Sequence, residues 1–302
     1  MVGSIKDLER ADPILSVVVA SNNASRSICE CLDALTNQTT NGPVEIIVVD
    51  YSTDGTTEFI ESKFPHLKLI KFSEPRLIPA LWSHGISHCR GNLVALTTAH
   101  CVPDKHWIAQ ILKAHETSYP AIGGAIENCE PASLVDWAIY FCRYTHYMKP
   151  FPAGFVEDLP GDNASYKMRA LESCQDVWQN GFWESFVHAR LCQEGKKLLL
   201  TPEITVFHKQ SYNLGAFMRQ RFYHGRNFGR LRGCQFPALK KVGLIVGSPA
   251  IPLLLLMRIG RGVLQKKRHG DKLFLSLPLL LLFLISWSVG ELIGYLQNKD
   301  FL

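Results

Sequence analysis

Aliphatic runs and helical segments alternate four times between Ile14 and Ile126, and this rhythm restricts the fold more than any other feature. Ile14–Ala20 (ILSVVVA), Val44–Val49 (VEIIVV), Leu67–Phe72, Leu93–Leu96 and Ala121–Ile126 read as strands. Short aliphatic runs closed by turn residues suit a parallel sheet buried on both faces. Between them, Ile28–Leu35, Phe59–Phe64, Ile78–Cys89 and Ile108–His115 carry apolar residues at helical spacing. The expected architecture is α/β, a doubly wound and mostly parallel sheet with right-handed crossovers and flanking helices. Ligands of such sheets bind beyond the carboxyl ends of the strands. Those ends carry Ser21-Asn22-Asn23-Ala24-Ser25, Asp50-Tyr51-Ser52-Thr53-Asp54-Gly55-Thr56 and Thr97-Thr98-Ala99-His100-Cys101-Val102-Pro103-Asp104.

No GxGxxG follows the first strand, and GxxxxGK[ST] occurs nowhere. A dinucleotide oxidoreductase and a P-loop ATPase are therefore disfavoured. Nine cysteines, at 29, 31, 89, 101, 129, 142, 174, 192 and 234, form no CxxC and no zinc spacing. That scatter fits reduced thiols in a cytoplasmic setting. Met1–Asp12 is short and charged, so no signal peptide is expected there.

The net charge of +5 hides an asymmetry. Val206–Lys272 holds 14 Lys or Arg against one acid, a charge of +13, which leaves −8 for the remainder. Basic residues beside apolar runs point to an anionic membrane surface or a phosphorylated ligand, not to nucleic acid. Leu214–Arg232 reads as a helix in which arginines and phenylalanines interleave. Val242–Met257 is 16 residues with Pro249 and Pro252, short for a span, and Leu273–Gly290 is 18 uncharged residues, long enough for one. The basic loop between them, Arg258–Lys272, belongs in the cytoplasm. With the first segment interfacial, the globular part is cytoplasmic too, which is the favoured arrangement; a full crossing would put them on opposite sides.

The ordered set ILSVVVASNNAS, VEIIVVDYSTDGT, RLIPALWSHGISHCRGNLVALTTAHCVPD, AIGGAI and LPGDNASYKMRAL resembles the family-2 glycosyltransferases with a GT-A fold. The resemblance runs from about Ile14 to about Arg232. It implies a GT-A-like domain over 1–235, with a nucleotide-binding half near 13–127 and an acceptor half near 128–235. A membrane-associated region of one or two apolar helices would fill 236–302.

Further implications concern the site. Ala20, Ser21, Asn22, Asp50, Tyr51 and Arg76 would hold the nucleotide of a nucleotide-sugar donor. Asp162, Asn163 and Trp183 would contact donor or acceptor sugar. Arg219, Gln220 and Arg226 would face the diphosphate. Glu184, at a helix start, would be the general base of an inverting transfer. The acceptor would be lipid-linked or a polysaccharide of the cell envelope, reached at the membrane.

The main departure is the metal motif. Thr98-Ala99-His100 stands where the family carries Asp-x-Asp, so dependence on Mn or Mg is in doubt. His100 and His208 could form a reduced metal site, or could only hydrogen-bond phosphate and neighbours. Plainer roles stay open for Asp50 as a turn cap, Arg76 as a surface cation and Glu184 as a dipole-favoured helix residue. So does the alternative of a non-catalytic nucleotide-sugar-binding or scaffold protein. Another sugar-nucleotide enzyme on a similar sheet is disfavoured, because no glycine-rich, lysine-bearing loop follows strand one.

Overall fold

The computed structural model describes residues 12–40, 42–129, 131–209 and 213–297. It divides into two compact units. One runs to Glu127, resumes at Tyr147 and closes before the helix beginning at Leu214; the other takes Asn128–His146 and the helices from Leu214 onward.

The first unit is built on the alternation read from the sequence. In chain order it holds β1 (Leu15–Ser21), α1 (Ile28–Thr36), β2 (Val44–Asp50), α2 (Thr56–Lys63), β3 (Lys68–Lys71), α3 (Ile78–Ile86), β4 (Leu93–Thr98), β5 (Cys101–Pro103), α4 (Trp107–Ala114) and β6 (Ala121–Asn128). In the second unit comes α5 (Leu134–Tyr144). The first unit then continues through β7 (Gly154–Val156), β8 (Ala164–Lys167), the short α6 (Met168–Glu172) and α7 (Gln175–Trp178), α8 (Glu184–Gln193) and β9 (Leu198–His208).

The strands lie in the order β3-β2-β1-β4-β8-β6-β9-β5, with β7 also on β9. The β3-β2-β1-β4 stretch is parallel, while β4 and β8, β8 and β6, β9 and β5, and β9 and β7 pair antiparallel. The chain winds outward from β1 to β3, then returns to the other side of β1 for β4. That reversal makes a topological switch point at the carboxyl ends of β1 and β4. Every residue of β1 is buried, as suits a strand covered on both faces. Leu15, Val17, Val18 and Val19 each contribute about 1.5–3 kcal/mol by leaving water.

Pro202-Glu203 lies in the middle of β9, which continues to His208. Pro202 is tolerated there because β7 pairs with Leu198–Leu200 and β5 with Val206–His208, leaving its missing N–H between the two ladders. α7 ends at Trp178 and α8 starts at Glu184, with Gly181 between them at a φ of 142°.

The second unit is helical. Besides α5 it holds α9 (Leu214–Gln235), α10 (Ala238–Gly247), α11 (Ile251–Lys266) and α12 (Gly270–Leu296). The second unit thus takes in both α9 and Asn128–His146. Glycines account for α9 joining the other helices. A methyl group at Gly225 or Gly229 would come within 2.3 Å of the carbonyl oxygens of Trp287 and Glu291 respectively. One at Gly290 or Gly294 would come within 2.2 Å of those of Phe222 and Arg226. Both helices thus carry Gly-xxx-Gly, and their backbones meet along it in parallel. Around this seam Phe217 packs edge-on to Phe283 at 4.6 Å, and Ser286 Oγ donates to Met218 O at 2.7 Å. Glu291, 3% exposed, accepts from Trp287 Nε1 at 3.2 Å and Tyr295 Oη at 2.5 Å and pairs with Arg232 at 3.3 Å.

Two helical stretches, Leu239–Lys266 and Gly270–Leu296, are long and apolar enough to cross a membrane. The first is 28 residues, longer than the 16-residue run suggested, because the turn Ser248–Ala250 carries α10 into α11 past Pro249 and Pro252. Its apolar side chains face outward, with Leu239 at 86% and Val246 at 75% exposed. Gly290→Ala should lower the melting temperature of the detergent-solubilised protein, a loss of about 1–3 kcal/mol from overpacking. Gly243→Ala, which meets nothing within 4 Å, should be neutral or slightly stabilising. Equal melting of the two variants would refute the close seam.

Candidate active site

The carboxyl ends of β1, β2 and β4 are tied to one another by main-chain bonds. Ser21 lies opposite Asp50, and Ala20 opposite Thr98. Past the last paired residues, Tyr51 N–H donates to Ser21 O at 3.0 Å and Ala99 N–H to Ala20 O at 3.0 Å. Side chains lock the first two loops together. Asn23 N–H donates to Ser52 Oγ at 2.8 Å, and Thr53 N–H returns to Asn23 Oδ1 at 2.8 Å. Ala24 N–H donates to Thr56 Oγ1 at 3.0 Å, and Ser25 N–H to Asp54 Oδ2 at 3.2 Å.

Asp50 is buried, and both its oxygens are engaged, accepting from Ser52 Oγ at 2.7 Å and Thr57 Oγ1 at 2.6 Å. It caps the turn and, through Ser52, supports Asn23. Each carboxylate oxygen keeps further acceptor capacity. Tyr51 packs on the core beside it. Ser21 Oγ is buried and has no hydrogen-bond partner among the described residues. A buried hydroxyl left so costs about 1–3 kcal/mol, which makes this a place for a ligand's polar atom.

At the end of β4, Thr98 and His100 are buried. His100 Nδ1 lies 3.1 Å from Ser27 Oγ, at the start of α1, and His100 O accepts from Lys209 N–H at 2.6 Å. Thr98 O accepts from Cys31 Sγ at 3.7 Å, and burial pushes that thiol up to about 12. His208, fully buried, follows on β9, where Cys101 is its register partner. Among the described residues no three His, Cys, Asp or Glu side chains group so as to hold a metal ion. Two imidazoles, one of them on a serine hydroxyl, do not make the oxygen-rich cage Mg²⁺ needs. The donor set does not fit a protein-held metal of the Asp-x-Asp kind.

Glu184 comes to the same edge from α8. Trp82 Nε1 on α3 donates to Thr97 O, in β4, at 2.9 Å. A methyl group at Gly161 would lie 2.9 Å from the Trp82 ring and 3.1 Å from the Glu184 carboxyl carbon. Only glycine lets the 160s turn pass between tryptophan and carboxylate. Asp162, 4% exposed, follows directly. Phe182 N–H donates to Pro79 O at 2.7 Å, which ties the start of α8 to α3. Trp183 sits between Phe182 and Glu184, half-buried, as the residue before the helix.

Asn163 is spent inside the fold. Its amide donates to Ala125 O at 2.8 Å and Ile204 O at 3.1 Å and accepts from Trp107 Nε1 at 2.8 Å. Gly124 leaves the room for it, since a methyl group there would stand 2.5 Å from the Asn163 amide nitrogen. Asn163 locks β6, β9 and α4 together, so its expected sugar contact gives way to a structural role. Arg76 is exposed, 3.7 Å from Glu74, with its guanidinium over the Phe72 ring at 5.6 Å. Arg219, Gln220 and Arg226 stand on α9, in the second unit. Trp82, Gly161 and Ser27 were not singled out in the sequence; they reveal themselves only once α3, β4 and α8 are brought together.

Residues 16–174 match glycosyl transferase family 2. The chain belongs to that family. Glycosyltransferase AglE of Haloferax volcanii is 28% identical over 125 residues, 39% of this chain and 41% of its own length. The chain thus spans less than half of that relative. The mannosyltransferase PcManGT of Pyrobaculum calidifontis, solved with GDP-Man and Mn²⁺, shares the fold with TM-score 0.59 at 17% identity, over 96% of this chain and 89% of that one. S. aureus TarS 1-349 gives 0.50 at 13%, over 92% and 90%.

Asp54 offers a pH test of the loop lock. Burial raises its carboxyl, but hydrogen bonds from Thr56 and Ser25 outweigh it and hold the group below its ordinary value. A depressed folded value stabilises the fold above the ordinary carboxylate range, and the gain is lost as pH falls through the folded value. Asp54→Asn should therefore melt below the parent near neutral pH, with the gap closing under acid conditions. A gap that stays constant would show that the charge of Asp54 does not hold the loops.

Proposed function

We propose that this chain transfers a sugar from a nucleotide-sugar donor to a hydroxyl of a lipid-linked or cell-envelope acceptor at a membrane, with inversion. The observation that carries the reading is the meeting of the β1, β2 and β4 ends with the Glu184 carboxylate, through Trp82 and Gly161. Family membership and the GT-A-like neighbours support it.

The nucleotide is assigned to the loops after β1 and β2. Ala20 and Asn22 border it, Ser21 Oγ offers a buried hydroxyl, and Asp50 has acceptor capacity beyond its turn bonds. Tyr51 would border the base, and Arg76 would pair with phosphate once its weak surface contact with Glu74 is released. Asp162 and Trp183 are assigned to the sugars. Glu184 takes the proton of the acceptor hydroxyl as that oxygen bonds to the anomeric carbon. The bond from that carbon to the diphosphate breaks on the opposite face, and the nucleoside diphosphate leaves with the electron pair. His100 is assigned to hydrogen-bond the leaving phosphate rather than to ligate a metal. The apolar outer faces of α10–α12 support membrane association, and the basic Arg258–Lys272 loop supports a cytoplasmic catalytic unit. Loss of both metal carboxylates favours one other reading, a protein that binds nucleotide-sugar without turnover.

The test is release of nucleoside diphosphate from a panel of GDP- and UDP-linked sugars by the full chain in detergent. Glu184→Gln should cut turnover by about 10²–10⁴-fold while leaving nucleotide affinity near the parent's. Chelation by EDTA should leave turnover within about twofold; a larger loss, restored by Mn²⁺, would overturn the role given to His100. Binding of a donor without turnover, equal in parent and Glu184→Gln, would establish the second reading.

A further inference from the structure

Behind Glu184 lies a buried polar chain that the transfer mechanism does not use. His188 is on α8, one helical turn after Glu184, and is fully buried. Its Nε2 is 2.8 Å from Tyr166 Oη, and its Nδ1 is 2.5 Å from Asp158 Oδ1. Leu159 N–H also points at Nδ1, at 3.2 Å. One nitrogen cannot both accept from Leu159 and donate to Asp158. The charge-assisted contact to the carboxylate is the shorter, so Nδ1 carries the proton. Nε2 then accepts from the Tyr166 hydroxyl. Burial, and next the negative charge of Glu184, push that hydroxyl well above its ordinary value, so it remains a donor.

The chain has direction. It begins at the half-exposed Asp158, crosses His188 and ends at Tyr166 on β8. Tyr166 is fully buried, 5.4 Å edge-on from Phe182, which in turn stands 6.5 Å edge-on from Trp82. Apolar residues of the same shape would join α8 to β8 at lower desolvation cost. A polar chain adds fixed orientation, because its hydrogen bonds are directional.

We infer that Asp158, His188 and Tyr166 form a positioning triad that sets the Glu184 carboxylate at the strand ends, so that His188 and Tyr166 act on transfer through Glu184. The inference rests on Glu184 being the base.

The experiment compares Tyr166→Phe, His188→Gln, His188→Leu and Asp158→Asn with Glu184→Gln, all in the full chain. It reads kcat and donor KM from nucleoside diphosphate release, using the panel sugar-nucleotide that turns over fastest, and melting temperature. Tyr166→Phe should lower kcat by about 10- to 100-fold with donor KM within about twofold. His188→Gln, whose amide reaches the Nε2 position, should retain more kcat than His188→Leu. If Tyr166→Phe fails to fold, Asp158→Asn, at the half-exposed end, carries the same test with a smaller loss. Parental kcat in Tyr166→Phe and Asp158→Asn, with Glu184→Gln inactive, would overturn the triad and leave the base assignment standing. Parental kcat in Glu184→Gln would overturn the base assignment, and with it the triad.

Discussion

The carboxyl end of β1 is the joint on which the first unit turns. Its last two carbonyls are claimed from opposite sides, Ala20 O by Ala99 and Ser21 O by Tyr51. A strand held on both flanks to its final residue cannot fray, so the loops beyond it start from fixed positions. The hydroxyls and carboxylates of Ser52, Asp54 and Thr56 then stitch the β1 loop to the β2 loop. Polar residues in these loops therefore do two jobs. Asp50 illustrates it, with two oxygens on Ser52 and Thr57 and acceptor capacity left over.

Replacing Asp-x-Asp by Thr98-Ala99-His100 changes the chemistry of the neighbouring strand end. Two adjacent carboxylates repel each other and need a cation; threonine, alanine and histidine need only packing and hydrogen bonds. The structure supplies these with Cys31, Ser27 and the Lys209 backbone. In the proposed transfer, donors already in place at this strand end would meet the charge on the leaving diphosphate at no cost in reorganisation.

The parallel half of the sheet was legible because its signals are local. Aliphatic runs such as Val44–Val49 and turn residues such as Asp50–Thr56 sit next to each other in the chain. The antiparallel half was less so. That β8 inserts between β4 and β6 depends on pairing across some seventy residues, from Ala95 to Ser165, which no periodicity reports. Asn163 lay in a turn that reads as a binding loop; only the closeness of Ala125, Ile204 and Trp107 shows that its amide is already spent. His188 had a readable clue, its spacing of four from Glu184, but a histidine at helical spacing says nothing of a tyrosine on a distant strand. Likewise the pairing of α9 with α12 rests on glycines whose partners lie some sixty residues on.

Those glycines explain how an arginine-rich helix can belong to an apolar unit. Close backbone contact along the glycines holds the two helices together. With carbonyls of α12 against Gly225 and Gly229, and carbonyls of α9 against Gly290 and Gly294, the side chains at the seam have little room to splay. Glu291 is confined there and would be a costly charge in an apolar helix if left alone. Arg232, Trp287 and Tyr295 all reach it. Because Arg232 is on α9 and Glu291 on α12, the pairing also fixes register: sliding either helix by one turn would separate the ions and drive a side chain into the glycine seam. Glycines set how near the helices come, and the part-buried ion pair sets where along their length they stop.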